Sequence, residues 1–108
     1  WGTGKPIREW LYVKDGAEAL VRSINLDSGH HFFNVGVEKG ISVIELAETI
    51  KEKFGWNGEF ELDTSRPDGV HEKKVDGSLG QIKLDWKPET NLNDGIQQTV
   101  DWYIEHHG

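Results

Sequence analysis

Three cations at loop positions are the side chains best placed to do chemistry in this sequence. Arg66 opens the run Arg66-Pro67-Asp68-Gly69, Lys73 lies shortly beyond it, and Arg8 follows a glycine-rich first loop. Guanidinium and ammonium groups converging on one cleft would suit a phosphate or diphosphate, Arg through forked hydrogen bonds and Lys as a point charge. Pro, Asp and Gly are also an ordinary β-turn sequence, and spacing alone does not bring the cations together. Trp1, beside the glycine turn, could offer its face to a base or a sugar; a core residue at the start of the chain is the alternative.

Other chemistries fail on residue type or spacing. Gly2-Thr3-Gly4 lacks the third glycine of a dinucleotide fingerprint, since position 7 is Ile7, and no strand precedes it; a tight turn is the expectation. A Tyr-x-x-x-Lys pair, which would set a phenol beside an ammonium one helical turn away, is missing: Tyr12 is followed four on by Gly16 and Tyr103 by His107. The histidines fall as His30-His31, His71 and His106-His107, and adjacent side chains diverge on strand or helix, so no metal site is expected. Glu45, Glu48, Lys51, Glu52 and Lys53 read as a solvated helix face rather than a paired-acid site.

The elements that must position the cations are short. Trp1–Pro6 is a loop punctuated by Gly2, Gly4 and Pro6, and Ile7–Val13 is expected to hold a short strand. A helix is predicted from about Asp15 to Ile24, with Ala17, Leu20, Val21 and Ile24 as one apolar stripe and Asp15 near its positive end. Phe32–Val35 reads as a buried strand covered on both faces. Ser42-Val43-Ile44-Glu45 is a capping box opening a helix whose Val43, Leu46, Ala47, Ile50 and Phe54 share a face before Gly55. Glu59–Asp63 alternates as a half-buried strand with Phe60 and Leu62 inward. Leu79, Ile82 and Leu84 suggest a short helix ending near Trp86-Lys87-Pro88. The last helix runs from about Leu92 to His106 behind an Asn91 cap, with Leu92, Ile96, Val100 and Tyr103 on its stripe. Residues 27–31 and 64–78 are charged and loop-rich. The class is α/β, verging on α+β: short strands with three to four helices in one domain over residues 1–108.

Composition sets the outer bounds. The 108 residues carry 12 basic and 19 acidic side chains, a formal net charge of −7, and no Cys, so thiolate metal sites, a catalytic Cys and disulfides are excluded. Scattered bases in an acidic chain argue against nucleic acid as a partner, and no apolar run approaches a membrane span, so a soluble chain is expected. With no Met and a start on a glycine turn, the sequence reads as a piece of a longer chain.

Trp1-Gly2-Thr3-Gly4-Lys5-Pro6-Ile7-Arg8-Glu9-Trp10-Leu11-Tyr12-Val13-Lys14-Asp15 resembles the segment of extended short-chain dehydrogenase/reductases, the NAD-dependent epimerase/dehydratase family, that enters their substrate-binding lobe. Phe33-Asn34-Val35-Gly36, the Ser42–Ala47 capping box, Leu84-Asp85-Trp86-Lys87-Pro88 and the Leu92–Tyr103 helix are similar to later landmarks of that family in the same order, so the resemblance covers essentially the whole chain. Ser65–Gly69 with Lys73 and Asp76 looks most like the GDP-L-fucose synthase branch, where hexose epimerases more often carry Arg-Pro-Gly-Asp. Tyr12, Lys14 and Gly16 depart from the family's usual His, Asp and larger apolar residue.

The resemblance implies the C-terminal substrate-binding lobe of a Rossmann-type enzyme, in which Trp1, Arg8, Asp68 and Lys73 touch a nucleotide-diphosphate sugar. Arg8 and Lys73 would lie near the diphosphate; Arg66 joins them, at a place shared by Lys in similar enzymes. No catalytic residue is expected on this chain. It further implies a cytoplasmic parent, compatible with a homodimer, whose N-terminal Rossmann domain binds NADP(H) and supplies the Tyr-x-x-x-Lys pair. The same lobe of a UDP-hexose 4-epimerase or a dehydratase is the alternative within the family. A free-standing α/β protein-interaction module is the alternative outside it.

Overall fold

The computed structural model describes residues 1–108. Two glycines shape its entry. Gly2 and Gly4 both adopt positive φ, near 71° and 72°, and a side chain on either would collide, with the Asp68 carboxylate at Gly2 and with Ile44 Cβ, 2.8 Å away, at Gly4. The expected tight turn is present. It delivers the chain into β1 (Ile7–Arg8), which pairs antiparallel with β2 (Ile41–Ser42) and parallel with β3 (Glu72–Lys73), so the sheet order is β2-β1-β3.

Four helices accompany the sheet: α1 (Val13–Ser23), α2 (Val43–Phe54), α3 (Ser78–Leu84) and α4 (Leu92–His107). The class is therefore small α/β, as the residue pattern implies. α2 carries the capping box in full: the Ser42 hydroxyl accepts from the Glu45 amide at 3.2 Å, and the Glu45 carboxylate accepts from the Ser42 amide at 2.8 Å. Gly55 ends it in the left-handed conformation. Asn91 caps α4 by accepting from the Asp94 amide at 2.9 Å.

Several expectations are corrected. The short strand expected within Ile7–Val13 is present as Ile7–Arg8, but α1 begins at Val13, two residues ahead of Asp15. Phe32–Val35 and Glu59–Asp63 form no strand, since neither finds a ladder partner in these 108 residues. Phe32 is 84% exposed, and Phe60 turns to pack on the Trp56 ring at 5.6 Å rather than inward. α3 stops at Leu84, where Asp85 takes positive φ, and of its apolar residues Leu84 is buried while Leu79 and Ile82 face out. On α1 the stripe expected to be buried is exposed; Asp15 and Ala19, on the other side, are the buried pair.

Burial is confined to two small centres. Ala19 of α1, Leu84 of α3 and Trp86 form one, with Leu11, Leu26 and Phe33 packed against it. Ile96 and Val100 of α4 anchor the other, where α4 faces α2 and Phe54 meets Tyr103 edge to face at 5.8 Å. Asp15 links the two, its carboxylate accepting from the Thr90 amide at 3.0 Å and the Thr90 hydroxyl at 3.2 Å.

Candidate functional site

The parallel pairing of β1 and β3 sets Arg8 opposite Lys73. Directly opposed residues project to the same face of a sheet, about 4.8 Å apart, so the short ladder sets Arg8 and Lys73 as neighbours on one face. Arg8 Nη1 donates to the Ile7 carbonyl at 2.7 Å and Nη2 to the Val70 carbonyl at 2.8 Å. Carbonyls fix the group without neutralising it, and its remaining N–H groups stay available. Lys73 has no ion-pair partner, because alternation puts its neighbours Glu72 and Lys74 on the other face, where they pair with each other at 2.8 Å. That contact lowers the Glu72 carboxyl and raises the Lys74 ammonium, each chiefly through the hydrogen bond between them.

The turn carrying Arg66 and Asp68 closes over the first loop. The Asp68 carboxylate accepts from the Thr3 amide at 2.6 Å and the Thr3 hydroxyl at 2.8 Å, and these two bonds hold it below the usual carboxylate range. The Asp63 carbonyl accepts from the Gly2 amide at 2.8 Å. Trp1, 81% exposed, is covered on one ring face by the Arg66 guanidinium, 4.7 Å from the ring centre, while Arg66 Nε reaches the Asp63 carboxylate at 3.5 Å. The two groups adjoin: a Cβ on Gly69 would lie 4.0 Å from Arg8 Nη2.

The fold thus gathers Trp1, Arg8, Arg66, Asp68 and Lys73 around one loop pair, with roles that divide. Arg8 and Lys73 keep unneutralised positive charge, suited to an anion. Asp68 has both oxygens engaged on Thr3, and Arg66 is shared between Trp1 and Asp63. Two contributors carried no sequence signal, because their partners lie more than sixty residues away: Thr3, which receives Asp68, and Glu9, whose carboxylate accepts from the Val75 amide at 2.9 Å beside the cation pair. None of the five main cavities is lined by the five residues. The largest, about 720 Å³, lies between α2 and α4 and is mostly apolar, a gap in core packing rather than a polar cleft.

A dinucleotide does not fit the glycine turn. The N-terminus of α2 does lie against the turn, but its first amides are taken, Val43 donating to the Pro6 carbonyl at 3.0 Å and Ile44 to the Gly4 carbonyl at 2.9 Å, and Asp68 already fills the space over Gly2. No three His, Asp or Glu side chains gather around a common point that could hold a metal. Neither tyrosine has a lysine one turn away: the Tyr12 hydroxyl donates to Gln98 Oε1 at 3.2 Å, and Tyr103 packs on Phe54 and His107.

Comparison with known proteins agrees along the chain. Residues 1–36 match the NAD dependent epimerase/dehydratase family. GDP-L-fucose synthase 1 of Arabidopsis thaliana is 41% identical over 106 residues, which cover 98% of this chain and 32% of that protein. Among solved structures, a GDP-L-fucose synthetase from Naegleria fowleri bound to NADP superposes with a TM-score of 0.87 at 28% identity, over 98% of this chain and 34% of that one. A UDP-glucose 4-epimerase from Thermotoga maritima with UDP-glucose superposes with a TM-score of 0.90 at 26% identity, over 100% of this chain and 35% of that one. The chain spans about a third of the length of the curated relatives it matches. In sequence and in fold this chain is similar over nearly its whole length to about a third of a GDP-L-fucose synthase, and its residues 1–36 match the NAD-dependent epimerase/dehydratase family.

Proposed function

We propose that this chain is the C-terminal substrate-binding lobe of a nucleotide-sugar epimerase/reductase of the GDP-L-fucose synthase type. The observation that carries the reading is the juxtaposition of Arg8 and Lys73 across β1 and β3, in a chain otherwise rich in acids. A diphosphate set there meets a donor fork and a point charge, while the neighbouring Trp1 ring offers its uncovered face to a base or sugar. The lobe's contribution is positioning: holding the diphosphate fixes where the sugar lies against catalytic groups carried elsewhere. The parent reaction would be epimerisation of a GDP-4-keto-6-deoxy-hexose followed by NADPH-dependent reduction, in the cytoplasm, with the cofactor held by a Rossmann domain outside these residues. The chain alone would turn nothing over.

Titration calorimetry of the full-length parent with GDP and UDP ligands tests this, with tighter GDP binding expected. The structural likeness to the UDP-glucose 4-epimerase supports a second reading, a lobe for a UDP-hexose. Tighter UDP binding would establish it in place of the first.

A further inference from the structure

In five places an Asp or Asn precedes a glycine: Asp15-Gly16, Asn57-Gly58, Asp68-Gly69, Asp76-Gly77 and Asp94-Gly95. Glycine has no side chain to keep its amide nitrogen from swinging onto the carbonyl carbon of the side chain before it, so each pair could close on itself. Closure needs that side chain free and the backbone able to turn. The fold holds four of the five shut. Asp15, inside α1, accepts twice from Thr90, and the Gly16 amide donates to the Tyr12 carbonyl at 3.1 Å. Asp94, in the first turn of α4, accepts from Asn91 Nδ2 at 2.8 Å, and the Gly95 amide donates to the Asn91 carbonyl at 2.9 Å. Asp68 has both oxygens on Thr3, and Asp76 accepts from the Ser78 amide at 2.9 Å.

Asn57-Gly58 is the exception. α2 ends at Phe54, Gly55 caps it in the left-handed conformation, and the Trp56 amide makes the last tie, to the Lys51 carbonyl at 3.1 Å. Beyond it the backbone of residues 57–61 makes no hydrogen bond to other backbone, and the Asn57 side chain is exposed and without a partner in the chain. Its carbonyl carbon also belongs to an amide, a better electrophile than a carboxylate. We propose that Asn57 is a self-modification site, deamidating through a cyclic imide. The Gly58 nitrogen bonds to Asn57 Cγ, the Cγ–Nδ2 bond breaks, and ammonia leaves with the proton that the Gly58 amide gives up. Water then opens either imide carbonyl, leaving aspartate or isoaspartate at position 57, and no oxidant or reductant is needed. The Trp56 ring lies where a Cβ on Gly58 would stand, so the packing of that ring demands the same residue that makes Asn57 labile.

The test is incubation of the 108-residue chain in warm neutral buffer, with a second sample in urea, each followed by anion exchange and peptide mass spectrometry. The product carries one more negative charge than the starting chain's −7, and methylation by an isoaspartyl methyltransferase detects its isoaspartate fraction. At position 57 the folded chain is expected to convert within about threefold of the urea rate, because the loop needs no opening. Asp15 and Asp94 react only when their helices open, so they should rearrange at least about tenfold slower in the folded sample than in urea. Asn57→Gln, whose longer side chain would have to close a larger ring, should abolish the charge gain. An Asn57 that stays intact in the folded sample, a charge gain that survives Asn57→Gln, or equal folded and urea rates at every pair would each overturn the proposal.

Discussion

Lys73 and Arg8 stand opposite one another across β1 and β3 but differ in what else they hold, and that difference makes the proposed site testable residue by residue. Lys73 has no partner, so Lys73→Ala in the full-length parent should weaken nucleotide-sugar binding without shifting the melting temperature. Arg8→Ala should weaken binding by about 1.5–3 kcal/mol, the scale of a hydrogen bond to a charged group, and also lower the melting temperature, because its guanidinium ties the Ile7 and Val70 carbonyls. Calorimetry and a melt on each variant check the split; unchanged affinity for both removes them from the site. Asp68 belongs to the scaffold. Its carboxyl is held below its ordinary value of 3.8 by the Thr3 bonds, so the clamp is in full force above that value and is lost as pH falls through the lowered one. Thr3 amide exchange followed by NMR should accelerate across that acid window, and Asp68→Asn should flatten the dependence. The cation types and the turn were legible in the sequence because they are local. That Arg8 answers to carbonyls rather than to a salt bridge with Glu9 was not, since Val70 reaches it only through the fold.

Among the elements, the helices were legible where every signal lay within one turn, as with Ser42 and Glu45 on α2 or Asn91 and Asp94 on α4. The strands were not, because a two-residue ladder is set by pairing partners distant in sequence and leaves little alternation to read. Asp15 shows both sides: its place near the start of α1 could be read, but its buried bonds to Thr90 could not. Asp15→Ala should cost about 1.5–3 kcal/mol, because it removes two hydrogen bonds to a carboxylate that joins α1 to the approach to α4. Gly80 is a second junction. A Cβ there would collide with the Asn34 carbonyl oxygen and crowd Phe33, with backbone on one side and helix on the other. Gly80→Ala is therefore expected to destabilise by about 1–3 kcal/mol through forced separation of α3 from residues 33–34. Equilibrium denaturation of the full-length parent and its variants measures both; a Gly80→Ala as stable as the parent would mean that the two segments part freely.

For the molecule as a whole, size and surface disagree with self-sufficiency. A folded chain of this length has a radius of gyration of about 13 Å and one of this mass exposes roughly 6,100 Å². Here the values are 16.6 Å and 8129 Å², with extents of 51 × 35 × 18 Å, and only 11 of 108 residues are buried. The excess surface, about 2,000 Å², is what one partner contributes to a large, permanent interface. The apolar face of α1 and the unpaired segment at 32–35 supply part of it, which is why sequence patterns promised burial that the fold does not provide. Two small centres joined through Asp15, with no single core, leave little to make unfolding all-or-none. The 108-residue chain on its own is therefore expected to bind an apolar dye such as ANS and to melt over a broad range, whereas the same residues in a full-length parent should give a sharp transition without dye binding. Calorimetry and dye fluorescence on both proteins decide the matter. A sharp, dye-free melt of the short chain would show that two small centres suffice, and the exposed face of α1 would then owe nothing to a missing domain.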